Sequence, residues 1–228
     1  AMTSKDESSS SNSAKFWDKI ADGYSKKPIG DEAAYQEKLR ITQAYLRPHM
    51  EVLEYGCGTG GTALIHAPHV KHILATDVSG NMIDIARRRA AEGKVDNVTF
   101  KRASIEELDI PDNSKDAVLG LSILHLLDDR EGSIRRTYRW LKPGGVFITS
   151  TPCVKDMGAM ARMFARSASL FQYFGLLPTF YAFSRDELAS CFKNSGFVIE
   201  HEWRPTDDKG KIKKDSAIFM VAKKPSSK

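Results

Sequence analysis

A nine-residue run around position 55 constrains this chain more than any other part of it. Val52, Leu53, Glu54 and Tyr55 make a short apolar stretch carrying one carboxylate, and Gly56-Cys57-Gly58-Thr59-Gly60 follows at once. A strand that breaks into alternating glycines lets the backbone turn sharply and pass close to a ligand with no Cβ in the way. The helix expected next, over 60–67, aims its unpaired N–H groups at the same place. A second apolar stretch, 72–77, ends in Asp77, whose carboxylate can accept both hydroxyls of a ribose. The pattern predicts a nucleoside site at the carboxyl edge of a parallel sheet.

Two ligand classes fit such a loop. Gly56, Gly58 and Gly61 spell G-x-G-x-x-G, the dinucleotide fingerprint, which implies an NAD-dependent oxidoreductase. Glu54-x-Gly56-x-Gly58-x-Gly60 instead resembles motif I of the class I S-adenosylmethionine-dependent methyltransferases. The acidic residue ahead of the first glycine separates the two. In the methyltransferase reading it orients the loop and the ammonium group of the methionine moiety, whereas a diphosphate would be repelled by a carboxylate there. Further matches follow in the order that family requires: Asp77-Val78-Ser79-Gly80-Asn81-Met82 is similar to its D-x-S-x-x-M segment, Asp116-Ala117-Val118 opens a fourth strand, and Leu141-Lys142-Pro143-Gly144-Gly145 is similar to its L-K-P-G-G turn.

The resemblance covers roughly residues 16–151 and is nearest to the quinone-biosynthesis and small-molecule branch, whose members often begin with a helix like 16–24. It implies S-adenosyl-L-methionine as cofactor and methyl transfer, by in-line displacement, to a small and partly apolar acceptor. The acceptor's identity, the atom attacked and the oligomeric state stay open, because relatives in that branch act on unrelated compounds. A regulatory module that binds the cofactor and methylates nothing is the reading from outside enzymology.

The same resemblance assigns residues. Gly56, Gly58 and Gly60 line the methionine and ribose with Cys57 as a small residue among them, and Thr59 caps the following helix. Asp77 binds the ribose, and Val78 and Met82 flank the adenine. Ser104-Ile105 stands where many relatives carry an acidic residue facing the adenine amino group. Leu121 and Ser122 face the methionine end, and Tyr24 either closes over it or packs in the core. His125, four residues past Leu121, is the candidate general base if the acceptor must lose a proton. No metal is expected: the adjacent pair Asp128-Asp129 is explained by charge at a helix N-terminus.

A chain of 228 residues makes one domain of ordinary size. We expect a disordered Ser-rich tail over 1–13 and a single domain over 14–228, doubly wound and Rossmann-like, with a helical N-terminal cap before the first strand. Its mostly parallel sheet should have seven strands, ending in a hairpin whose last strand is antiparallel, as in the resembled family. A net charge of +5 with pI near 9.0 is modest, and much of the excess falls at 209–214 and 223–228, so no nucleic-acid partner is inferred. No N-P-P-Y or D-P-P-Y turn follows the fourth strand, where Leu121-Ser122-Ile123-Leu124 stands. Cys57, Cys153 and Cys191 lie far apart, which suits a reducing, cytoplasmic setting. No apolar run approaches the ~20 residues of a membrane span.

Residues 152–183 exceed what such a fold requires. This stretch, following the fifth strand, holds seven of the 21 aromatic residues, three methionines and the cations Arg162 and Arg166. It is expected to be a helical, lid-like insertion walling an apolar acceptor pocket, with transient contact at a membrane surface as a lesser alternative.

Overall fold

The computed structural model describes residues 4–227, and the side chains of residues 12–227. Two helices, α1 (Ser4–Ser25) and α2 (Glu32–Tyr45), precede an alternation of strands and helices that lapses only between the third and fourth strands. It runs β1 (Glu51–Tyr55), α3 (Gly61–His66), β2 (His72–Asp77), α4 (Gly80–Glu92), β3 (Val98–Arg102), β4 (Lys115–Leu121), α5 (Arg130–Trp140) and β5 (Leu141–Thr151). Then come α6 (Ala159–Tyr173), α7 (Arg185–Asn194), β6 (Val198–Trp203) and β7 (Ile218–Lys223).

Helix starts follow local chemistry. Asp31, Ser79, Asp129 and Ser184 each accept the N–H three residues on, at 3.0, 3.1, 2.9 and 3.1 Å, satisfying a donor that the helix cannot. The strands form one sheet in the order β3-β2-β1-β4-β5-β7-β6. Its first five strands are parallel, and β7 is antiparallel to both of its neighbours. The expected seven-stranded, doubly wound architecture is therefore observed. The order reverses direction between β1 and β4, and at such a switch point the connections diverge and leave a crevice beyond the strands' carboxyl ends.

Each face of the sheet carries its own core, because β1 alternates its side chains between them. Leu53 and Tyr55 join Ile134 of α5 and Leu188 and Phe192 of α7 on one face. Val52 joins Ala63 of α3 and Ile83 and Ala86 of α4 on the other. Phe147 on β5 is fully buried, with ring centroids 6.0 Å from Tyr55, 5.6 Å from Phe192 and 5.9 Å from Phe197. Truncating such a ring to Ala costs about 3–5 kcal/mol.

Three expectations need correction. The Leu141-Lys142-Pro143-Gly144-Gly145 segment is not a free turn; it opens β5 as an irregular stretch, with Gly144 at φ +82° and its N–H bonded to the Lys224 carbonyl at 2.8 Å. The N-terminal tail expected to lack structure through residue 13 is helical from Ser4 onward, while residues 1–3 of that tail lie outside the described residues. Serine is only a mild helix-breaker, and once 14–25 is helical each residue added in front contributes one more backbone bond. The insertion is helical as expected, but it does not wall the main cavity, as the lining residues below make plain. Among the described residues no helix is long and apolar enough to cross a membrane.

Candidate functional site

The crevice at the switch point is a cavity of about 660 Å³. Tyr55, Gly56 and Gly58 line it from the end of β1, and Asp77, Val78 and Met82 from the end of β2 and the start of α4. Residues 103–107 contribute from beyond β3, residues 121–123 and 126–129 from beyond β4, Arg136 from α5, and Ser13, Trp17 and Tyr24 from α1.

The glycine loop divides its labour. Gly60 sits at φ +80°, and a Cβ there would meet the Phe100 ring at 2.7 Å and Ala86 at 2.9 Å, so it is a packing glycine. Gly58, at φ +55°, has nothing within 4 Å of the place a Cβ would occupy. That open space belongs to the cavity, so the loop offers bare main chain to a ligand.

Asp77 is held where the loop and α4 meet. Its Oδ2 accepts the Gly58 N–H and its Oδ1 the Ser79 N–H, both at 2.9 Å. Each oxygen keeps a lone pair for a ligand hydroxyl. Burial raises its pKa, opposed by the N–H groups of Ser79 and Gly58.

Glu54 lies behind the loop, 2% exposed, outside the cavity wall and with Oε2 lacking a partner. Burial, assisted by the Asp77 charge, pushes its carboxyl up to about 8. A cation bound at the loop would restore its ionised form. An orphaned buried carboxyl beside an open glycine cradle fits a cationic nucleoside such as S-adenosylmethionine.

The remaining sequence candidates fall into two groups. Val78, Met82, Ser104, Ile105, Leu121, Ser122 and Tyr24 all line the cavity beside Gly56, Gly58 and Asp77. Ser122 does so with φ +55°, a strained conformation for a residue with a Cβ, and its N–H is fixed by the Ser150 carbonyl at 2.7 Å. Tyr24 is half-exposed and packs edge-on against Trp17, with centroids 6.0 Å apart, so it is part of the wall and not of the core.

Cys57, Thr59, Gly60 and His125 are not on the wall. Thr59 caps nothing: Gly60 is the N-cap of α3, without a side-chain bond, and the Thr59 hydroxyl accepts from Arg89 at 2.8 Å. Cys57 is buried among the core side chains. The His125 ring is turned away, its Nδ1 buried and unpartnered, and burial pushes its pKa down to about 4. A short helical turn at 124–126 puts Leu126 on the cavity side and His125 on the other, which spacing along the chain did not reveal.

Sequence reasoning missed Trp17, Glu106, Glu107 and Arg136, and read Asp128 and Asp129 only as helix-start charge. Asp129 does cap α5, yet both carboxylates also face the cavity. Trp17 had a signal: it stands seven residues before Tyr24, two helical turns along one face. The helix carrying both is docked by Asp18, whose Oδ1 accepts the Ser79 hydroxyl at 2.5 Å and the Asn81 N–H at 3.1 Å.

Residues 52–145 match the family described as "Methyltransferase domain". The uncharacterized methyltransferase YcgJ of Bacillus subtilis is 34% identical over 110 residues, 48% of this chain and 44% of that protein. Its crystal structure superposes with a TM-score of 0.68 at 19% identity, covering 84% of this chain and 100% of that one. Demethylmenaquinone methyltransferase of Symbiobacterium thermophilum is 34% identical over 145 residues, 58% of this chain and 56% of that protein. This chain thus spans about half the length of these curated relatives. Geranyl diphosphate C-methyltransferase of Streptomyces coelicolor, solved with Mg2+, geranyl diphosphate and S-adenosyl-L-homocysteine, has the same fold at 13% identity, with a TM-score of 0.71 over 95% of this chain and 97% of that one.

Proposed function

We propose that this chain, whose residues 52–145 match the methyltransferase-domain family, transfers the methyl group of S-adenosylmethionine to a small, partly apolar acceptor. The observation that carries this reading is the pairing, in one cavity, of an open glycine at 58 with the fixed carboxylate of Asp77. When bound, the donor supplies a sulfonium-activated methyl group.

The chain's own residues hold and enclose. Asp77 would take the ribose hydroxyls, while Val78, Met82 and Ile105 offer apolar surface to the adenine and Ser104 stands beside it as a polar partner. Gly58 leaves room for the methionine moiety, and Leu121 and Ser122 border that end. Trp17 and Tyr24 cover the cavity from α1 and keep water out.

No histidine faces the cavity among the described residues, so rate enhancement rests on position and exclusion of water. Holding nucleophile and electrophile in line contributes on the order of 7–11 kcal/mol. The groups at hand for an acceptor's proton or cationic centre are the carboxylates of Glu106, Glu107, Asp128 and Asp129.

The cavity's mixed character, carboxylates and one arginine beside Leu121, Ile123, Leu126 and Leu127, supports a small acceptor with both an apolar and a polar part. One relative and one fold neighbour are named for partly apolar substrates, a demethylated menaquinone and geranyl diphosphate. The test is calorimetry followed by product analysis. S-adenosylhomocysteine should bind and NADH should not, and isotopically labelled donor should pass its methyl to a metabolite identified by mass spectrometry. Preference for NADH would return the oxidoreductase reading; tight donor binding without a labelled product from any extract would leave a binding module.

A further inference from the structure

Helix α6 is built inside out. In a surface helix the large apolar side chains normally face the protein and the small or polar ones face water. Here the only fully buried residue is Ala168, with Ala161, Ala165 and Gln172 half-buried beside it. At 100° per residue these four share an arc of about 60°. Met160, Met163, Phe164, Leu170, Phe171 and Phe174 point outward, with Met160 82% and Leu170 62% exposed. They span an arc of about 120° that is interrupted by Ser167, whose hydroxyl is turned back to the Phe164 carbonyl at 2.9 Å. Monomeric proteins rarely leave so much contiguous apolar surface without a partner.

Charge identifies the partner. Arg162 and Arg166, both exposed, lie on one side of the outward apolar arc, Arg166 about 40° and Arg162 about 80° beyond its edge. Residues 157–183 contain no Asp or Glu, and among the described residues no carboxylate forms an ion pair with either arginine. A twofold dimer through this face would set arginines against arginines with nothing acidic in the segment to balance them. A bilayer satisfies both arcs: acyl chains take the Met, Leu and Phe side chains while anionic headgroups meet the flanking guanidinium groups.

We infer that α6 is an interfacial anchor that seats the protein on the surface of an anionic lipid bilayer. It goes beyond methyl transfer and does not depend on it. The helix is secured to the body at its start, where the Gly158 N–H donates to Asp215 at 2.8 Å. At its exit the Tyr181 N–H donates to the His125 carbonyl at 2.7 Å and the Tyr181 hydroxyl to Asp128 on the cavity wall.

The experiment is co-sedimentation of the full chain with vesicles of phosphatidylcholine alone and with vesicles containing about one third phosphatidylglycerol. Strong binding to the anionic vesicles only, weakening as salt is added, is expected. Each basic group near an anionic leaflet contributes about fivefold, so Arg162→Glu with Arg166→Glu should reduce partitioning by at least about thirtyfold. Phe164→Asp with Leu170→Asp should do the same. All four positions are solvent-facing, so unchanged thermal melting should accompany each loss. Failure of the wild-type chain to bind anionic vesicles would overturn the inference, as would full binding by either double variant. A stable dimer in light scattering that Phe164→Asp dissolves would assign the face to a second copy instead.

Discussion

Replacing Glu54 with glutamine should remove a specific piece of the protein's pH dependence. The folded chain holds this carboxyl's proton up to about pH 8, whereas its ordinary value is 4.5. Between those limits the native state binds a proton that the unfolded chain has released, so stability falls as pH rises, by about 1.4 kcal/mol per unit. His66 and His125 act with the opposite sign, since burial depresses each from 6.5 to about 4. Their stabilising contribution is complete above 6.5 and is lost as pH falls toward 4, so below 6.5 they offset Glu54.

The clean window is therefore pH 6.5–8. Over it the wild-type protein should lose about 2 kcal/mol, or roughly 4–8 °C in Tm for a chain of this size. Glu54→Gln should melt at nearly constant temperature across the same window. Saturating S-adenosylhomocysteine should flatten the wild-type curve as well, because its ammonium group favours the ionised carboxyl, and its affinity should rise with pH by up to about tenfold per unit. Scanning calorimetry across this range, with and without ligand, is the assay. Parallel wild-type and variant curves would refute the argument.

The two glycines at 58 and 60 should separate binding from folding. Gly58→Ala meets no atom and costs about 1–2 kcal/mol of backbone strain, while weakening S-adenosylhomocysteine at least tenfold by filling the cradle. Gly60→Ala adds the collision with Phe100 and should cost about 2–5 kcal/mol in denaturant unfolding. Unchanged affinity in the first would mean that the loop does not face the ligand. Asp77→Asn should weaken ligand binding by about 1–3 kcal/mol in calorimetry, and equal affinities would remove the ribose contact. His125→Leu should leave turnover on the identified acceptor within about threefold above pH 7, since a ring averted from the cavity wall cannot reach the acceptor's proton. A hundredfold loss would reinstate it.

What the chain discloses on its own follows from the range of the interactions involved. Gly56, Gly58, Asp77, Val78 and Met82 were legible because strand, turn and helix start are all local, and their spacing carries the geometry with it. The ends of β1, β2 and β3 fell where apolar runs meet polar residues, for the same reason. His125 was misread because one residue's shift around a short helical turn reverses which side it faces. Thr59 was misread because Arg89, 30 residues on, claims its hydroxyl. No periodicity announces that α6 keeps its alanines inside, since the stripe is equally apolar whichever way the helix is turned. Arg136 reaches the cavity only through the packing of α5 on the sheet, which is a tertiary fact.

Asp18 does two jobs at one place. Its carboxylate anchors the first helix, which carries Trp17 and Tyr24 over the crevice, and it also receives the Ser79 hydroxyl and the Asn81 amide at the mouth of α4. Lifting that flap to admit or discharge a nucleoside therefore strips a helix of its terminal partner in the same movement. Access to the crevice and the order of the first turn of α4 are thereby tied to one carboxylate.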